Sequence, residues 1–206
     1  IYIMEEYIWG EVNSYDAIID SKGKPMFETG NVSPVSIMDI VNEQQSSLFY
    51  ILKKLPADTR KAGRATVKAF GVKSRFVHFE FFRLQKDQEG LGKAGDLVAL
   101  EVNMRPSGGF TPDMINFAHS TDVYKIWADM IAFDETTMPA GISAFCAFVG
   151  RRDGKDYVMD DAALSGKYSK QICMEDRMPD ALSGAMGNRM YIATFSTEKQ
   201  MAAFYK

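Results

Sequence analysis

The chain has little of what usually announces a function. Only two of its 206 residues are cysteine, Cys146 and Cys173, and they stand in different segments. They read as two lone thiols, which argues against a disulfide scaffold. Two histidines, His78 and His119, are too few for a histidine-rich metal site. Charge is nearly balanced: 24 Lys and Arg against 27 Asp and Glu leave a formal net charge of −3 and no basic stripe. That argues against a nucleic-acid partner. No apolar run approaches membrane-spanning length, and Ile1 opens into a strand-like run with acids close behind rather than a signal peptide. No membrane partner is expected, and the expected location is the cytoplasm. Internal repeats and low-complexity tracts are also missing. A hydrophobic content of 46% is ample for a core, in a length that suits one large domain or one and a half small ones.

Two polar patterns stand out against this background. Side chains two apart in a strand share a face. In Val98-Ala-Leu-Glu101-Val-Asn103-Met-Arg105, that rule puts Glu101, Asn103 and Arg105 together and sends Val102 and Met104 the other way. Upstream, Phe76-Val-His-Phe-Glu80-Phe-Phe-Arg carries a lone carboxylate among aromatics, where burial is costly. The Gly-rich stretch Glu89-Gly-Leu-Gly-Lys-Ala-Gly-Asp96 between them predicts a hairpin that brings Glu80 close to Glu101. Two carboxylates and a carboxamide oxygen are hard ligands suited to Mg²⁺ on nucleotide phosphates. The plain alternative is a polar strand face that meets water. His78 shares the alternating face of Glu80 and reads as a satisfied structural histidine.

The remaining chain predicts a strand over Ile1 to Met4, a second over Val12 to Asp20, and a turn at Ser21-Lys-Gly-Lys24. Gly30 to Asn42 reads as an irregular loop and Gln44 to Leu52 as a short helix. A clearer helix starts at Pro56, shows Ala62, Ala65, Ala69 and Phe70 near helical spacing, and ends at Gly71. Helices follow over Asp113–Ala118 and from Asp122 to about Ile131, the latter capped by Thr121 or Asp122. Pro139-Ala-Gly marks a boundary. Beyond it, Ile142 to Val149 and Asp156 to Met159 flank Gly150-Arg-Arg-Asp-Gly as an apparent hairpin. Asn188 onward reads as a strand, and Thr197 caps a last helix. Phe204 and Tyr205 read either as a contact surface, which would make a homodimer, or as core.

The spacing Glu80…Glu101-x-Asn103-x-Arg105 resembles the metal-binding signature of the ATP-grasp superfamily. The opening Met4-Glu5-Glu6-Tyr7-Ile8-x-Gly-Glu11-x-x-x-x-Asp16 is similar to its adenine-binding hinge and the strand that follows. The resemblance runs from about Ile1 to Ala132. It implies an α+β fold, with the antiparallel large-lobe sheet and packed helices over residues 1–138 and a small α+β extension over 139–206. It implies ATP with Mg²⁺, or Mn²⁺ in its place, and a small carboxylate substrate activated as an acyl-phosphate for attack by an amine, a thiol or another nucleophile. Glu80, Glu101 and Asn103 would hold metal, and Arg105 would contact the transferred phosphate or the acceptor carboxylate. The backbone of Glu6 and Ile8 would read adenine, with Glu5 near its exocyclic amine and Glu11 on the ribose side. Asp16 reads as an acceptor-site residue or a surface one, Ser107-Gly108-Gly109 as an anion cradle or a plain turn, and Arg75 and Arg83 as surface residues.

The small lobe with its phosphate-binding lysines does not precede Glu5. The chain is therefore expected to be part of a longer enzyme and to be inactive alone. A bicarbonate-using carboxylase or a carbamoyl-phosphate synthase-like enzyme is an alternative. For a biotin carboxylase-like enzyme the resemblance calls for a Gln-Val-Glu-His type stretch after the arginine; Pro106-Ser-Gly-Gly stands there instead. A non-catalytic nucleotide-binding domain is the third reading.

Overall fold

In the computed structural model, residues 4–139 and 141–205 are described. The strand expected over Ile1–Met4 lies almost wholly outside them. In chain order the elements are β1 (Gly10–Ile19), β2 (Pro25–Thr29), β3 (Asn31–Ser33), α1 (Ile37–Asn42), β4 (Ser47–Ile51), α2 (Ala57–Ala69), β5 (Arg75–Leu84) and β6 (Leu97–Asn103). They continue as α3 (Thr111–His119), α4 (Val123–Phe133), β7 (Phe145–Arg151), α5 (Asp161–Lys167), β8 (Ile172–Arg177), α6 (Asp180–Met186), β9 (Arg189–Phe195) and α7 (Glu198–Tyr205).

Among the described residues, nine strands join one sheet in the order β6-β5-β1-β3-β4-β7-β9-β8, with β2 also paired to β1. Every pairing is antiparallel. The fold is α+β, as the sequence predicts. The strands after residue 139 extend the same sheet, since β7 pairs directly with β4.

The two faces of the sheet bury different helices. Ile18 and Phe76 pack with Met114, Ile115, Val123, Ile126 and Met130 of α3 and α4, and Cys146, Phe148, Met190 and Ile192 join the same cluster. On the opposite face Tyr15, Ala17, Ile19, Val77 and Phe79 meet α2 through Val67. A third cluster seats α5 and α7 through Leu164, Met201 and Phe204. Phe204 is thus a core residue, and Tyr205 is partly buried against the same cluster. Among the described residues no helix is long and apolar enough to cross a membrane.

Local chemistry explains the helix ends. After α2, Gly71 at φ 60° donates its N–H to Lys68 and Val72 donates to Val67, the paired bonds of a Schellman ending. Asp122, not Thr121, caps α4 by accepting from the Lys125 N–H at 3.0 Å. Thr197 and Gln200 exchange side-chain and backbone bonds at 3.2 and 3.3 Å, a capping box that starts α7.

Several expectations fail. Ser47–Ile51 is strand β4, not part of a helix, and Gly30–Asn42 contains β3 and α1. Residues 156–159 form no strand, so the hairpin at Gly150 is not made; β7 pairs with β4 and β9 instead. The inner face of α2 is Thr59, Gly63 and Val67, while Ala65, Ala69 and Phe70 are exposed. Gly63 explains that rotation. A Cβ there would lie 2.1 Å from the Tyr15 ring, so only glycine lets the helix sit this close to β1.

Candidate functional site

The hairpin of β5 and β6 sets the geometry. Glu80 and Glu101 are directly opposite each other in register, His78 faces Asn103, and a bulge follows Glu80. Side chains on directly opposed residues share a face, with Cβ atoms about 4.5–5.5 Å apart, and like charges so placed repel. On the next strand, Ser14 pairs with Glu80 and Asp16 with His78. One face therefore carries Ser14, Asp16, His78, Glu80, Glu101 and Asn103 across three strands.

Hydrogen bonds order this face. Ser14 Oγ donates to Asp16 Oδ2 and accepts from the Asn31 N–H at 2.8 Å. His78 Nδ1 meets Asp16 Oδ1 at 2.8 Å, and His78 Nε2 meets Glu80 Oε1 at 3.1 Å. Asn103 Nδ2 donates to Glu101 Oε1. Asp16 is fully buried, which overturns its reading as a surface residue. Burial alone would push His78 down, but Asp16 and Glu80 beside it outweigh that and raise it to about 10. His78 is therefore cationic at neutral pH. It is satisfied, as expected, and it also fixes the Glu80 carboxylate.

This bonding leaves one oxygen each on Glu80 (Oε2), Glu101 (Oε2) and Asn103 (Oδ1) outside these bonds. Among the described residues, no group of three or more His, Cys, Asp or Glu is placed to hold a metal ion. Two carboxylates and an amide are nevertheless the donor set Mg²⁺ uses when nucleotide phosphates and water complete its shell. The residues present fit such an ion.

The other expected site residues are placed less simply. Arg105 lies just past β6, is exposed, and its Nη1 donates to the Pro106 carbonyl at 2.9 Å. Residues Met4–Trp9 precede β1 without regular secondary structure. Gln88, in the turn between β5 and β6, donates to the Tyr7 carbonyl at 3.1 Å and accepts from the Trp9 N–H at 2.7 Å. Among the described residues no hydrogen bond involves the backbone of Glu6 or Ile8. Glu5 and Glu6 side chains are exposed. Glu11 is on the face of β1 opposite to Asp16, opposed to Arg83, and partial burial raises its pKa. The structure does not bring it to the Glu80 face. Arg83 is partly buried at the surface and bonded to Asp58 at 2.6 Å and Thr59 at 3.1 Å; Arg75 is exposed.

The same arrangement of strands and helices occurs in solved structures. An L-amino acid ligase from Bacillus licheniformis matches with a TM-score of 0.69 at 13% identity, over 97% of this chain and 52% of that one. The phosphoribosylaminoimidazole carboxylase ATPase subunit from Aquifex aeolicus matches with 0.66 at 11% identity, over 98% and 56%. This is the ATP-grasp fold. The biotin carboxylase domain of 2-oxoglutarate carboxylase from Hydrogenobacter thermophilus, solved with MgADP, ADP and bicarbonate, shares the ATP-grasp fold with a TM-score of 0.58 at 13% identity, over 93% and 43%. The chain spans about half the length of the ATP-grasp structures it matches. No protein-family model and no curated protein sequence matches it.

Proposed function

We propose that this chain is the metal- and adenine-handling part of an ATP- and Mg²⁺-dependent ligase, which activates a carboxylate as an acyl-phosphate for attack by an amine or another nucleophile. The observation that carries the reading is the register of Glu80 against Glu101, with Asn103 beside them. Two opposed carboxylates repel, His78 offsets the charge of Glu80 alone, and a cation held between the pair would relieve the remainder. Bound at these oxygens, Mg²⁺ would supply neutralisation of the phosphate charge that shifts toward ADP.

The chain's own groups do the rest by positioning. His78 holds Glu80 in place. The backbone of Glu6 and Ile8 offers donors and acceptors for the adenine edge. Arg105, with a planar fork of donors, lies two residues beyond Asn103, past the end of β6, and is suited to the transferred phosphate or the acceptor carboxylate. The ligase and carboxylase structures that share the fold support ATP use without choosing the acceptor.

The test is ADP release from Mg·ATP by the full-length protein, with pooled carboxylates and amines or with bicarbonate alone. Release that requires both a carboxylate and an amine is expected. It should fall by more than about a hundredfold in Glu101→Gln, beyond what losing an outer-shell metal contact costs. Release with bicarbonate alone moves the reading to a carboxylase. Release that ignores Glu101→Gln removes the metal assignment.

A further inference from the structure

A cavity of about 370 Å³ opens on the other side of β1 from the metal hairpin, between β2, the residues after β4 and the segment before β7. That volume is within the range of small-molecule sites. Thr29 forms part of its wall and is paired with Asp16, so two strand spacings, about 10 Å, separate it from β5. Thr29 shares the sheet face of Asp16, and the cavity is set apart from Glu80 and Glu101 by this distance across the strands.

Its lining combines three chemistries. Lys53 and Lys54 are exposed at the mouth, and among the described residues neither forms an ion pair with a carboxylate. Lys53 donates once, to the Ser196 carbonyl at 3.2 Å, which leaves further N–H groups for a ligand. Arg60 also borders the cavity, but its guanidinium is committed to Glu28 at 2.6 Å. Phe27 and Met138 supply an apolar floor.

The third part is a polar wall. His119 Nε2 meets Thr29 Oγ1 at 2.7 Å and His119 Nδ1 meets Ser143 Oγ at 3.1 Å. Burial lowers the His119 pKa, so the ring is neutral. A neutral imidazole has one donor and one acceptor nitrogen. One hydroxyl therefore receives the ring N–H and keeps its own O–H free, while the other gives its O–H to the ring and keeps only lone pairs. The wall presents one donor and one acceptor at fixed positions. No element of the proposed phosphoryl transfer uses these groups.

We propose that this cavity binds a small organic carboxylate with an apolar body, its charged end at Lys53 and Lys54 and a polar substituent at the Thr29–His119–Ser143 wall. The assignment does not depend on the ligase reading. An organic acid has a body to cover Phe27 and Met138, which phosphate lacks, and a single charge costs less to desolvate there than a compact double one.

The test is isothermal titration of the full chain with hydroxyphenylacetate, its neutral amide and inorganic phosphate. The acid should bind, and the amide should bind about tenfold more weakly, the scale of two surface charge contacts. The double variant Lys53→Gln/Lys54→Gln should erase that preference, with an unchanged melting temperature because both lysines are exposed. Ser143→Ala should weaken the acid as well. Glu101→Gln should leave its affinity unchanged, which keeps this result separate from that of the metal hairpin. Equal binding of acid and amide, unchanged binding in the double variant, tighter binding of phosphate, or no binding of the acid would each overturn the proposal.

Discussion

His78 stands between two acids, 2.8 Å from Asp16 and 3.1 Å from Glu80, and its charge ties the hairpin to β1. Its pKa is raised from 6.5 to about 10 on folding. A raised pKa contributes stability that is fully present below the unfolded value and is lost as pH rises through the folded one. Urea unfolding in EDTA should therefore show wild-type stability falling between pH 6.5 and 10 relative to His78→Gln. Parallel pH curves for the two proteins would contradict the ion-pair assignment. Glu80, Glu101 and Asn103 could be found from the sequence because alternation and a Gly-rich turn are local rules. Asp16 could not. It lies in Tyr15-Asp-Ala-Ile-Ile, where only the register with His78 reveals that the acid has a partner. His119 was set aside as one of too few histidines, since Thr29 and Ser143 are 90 and 24 residues away from it.

Among the elements, α2 shows how one atom sets an orientation. Tyr15 is fully buried and its hydroxyl is fixed to Glu28 at 2.9 Å, so its ring has no room to yield. Gly63→Ala would place a methyl within that ring. The gain in helix propensity is about 1 kcal/mol, whereas overpacking costs about 1–3 kcal/mol or more. At a contact of 2.1 Å the upper end applies, and a net loss of about 2 kcal/mol is expected in thermal unfolding. Gly166→Ala in α5 meets nothing within 4 Å, so it should change stability in the opposite sense. An equal response at both positions would refute the close-approach account. Sequence periodicity chose the alanine face of α2 because alanines look apolar, but the contact is made where a side chain is missing. Strand β4 was mistaken for helix for a related reason. Its partners β3 and β7 do not follow it directly, and β7 is about a hundred residues on, beyond any local pattern. The apparent hairpin at Gly150 fails likewise, because β7 is already paired on both edges.

At the scale of the whole molecule, the segments before and after residue 139 share one sheet and one core. Cys146, Phe148, Met190 and Ile192 pack with Ile18, Phe76 and Met114. A chain ending at residue 138 would expose β4 and strip that cluster of five buried side chains, Met178 included. It should lose cooperative unfolding in denaturant titrations, and a sharp transition for the truncated chain would refute the shared core. The sheet ends at β8 on one side and at β6 on the other. Along Leu97–Asn103 every second backbone N–H and C=O faces outward, a template on which a strand from another molecule could grow. Leu100 is 43% exposed on this strand and would favour such growth. Glu101 opposes it, because stacking copies in line would crowd carboxylates. The negative charge that would attract a divalent cation thus also keeps neighbouring molecules apart. Saturating divalent salt removes that repulsion and lowers the colloidal solubility of the chain.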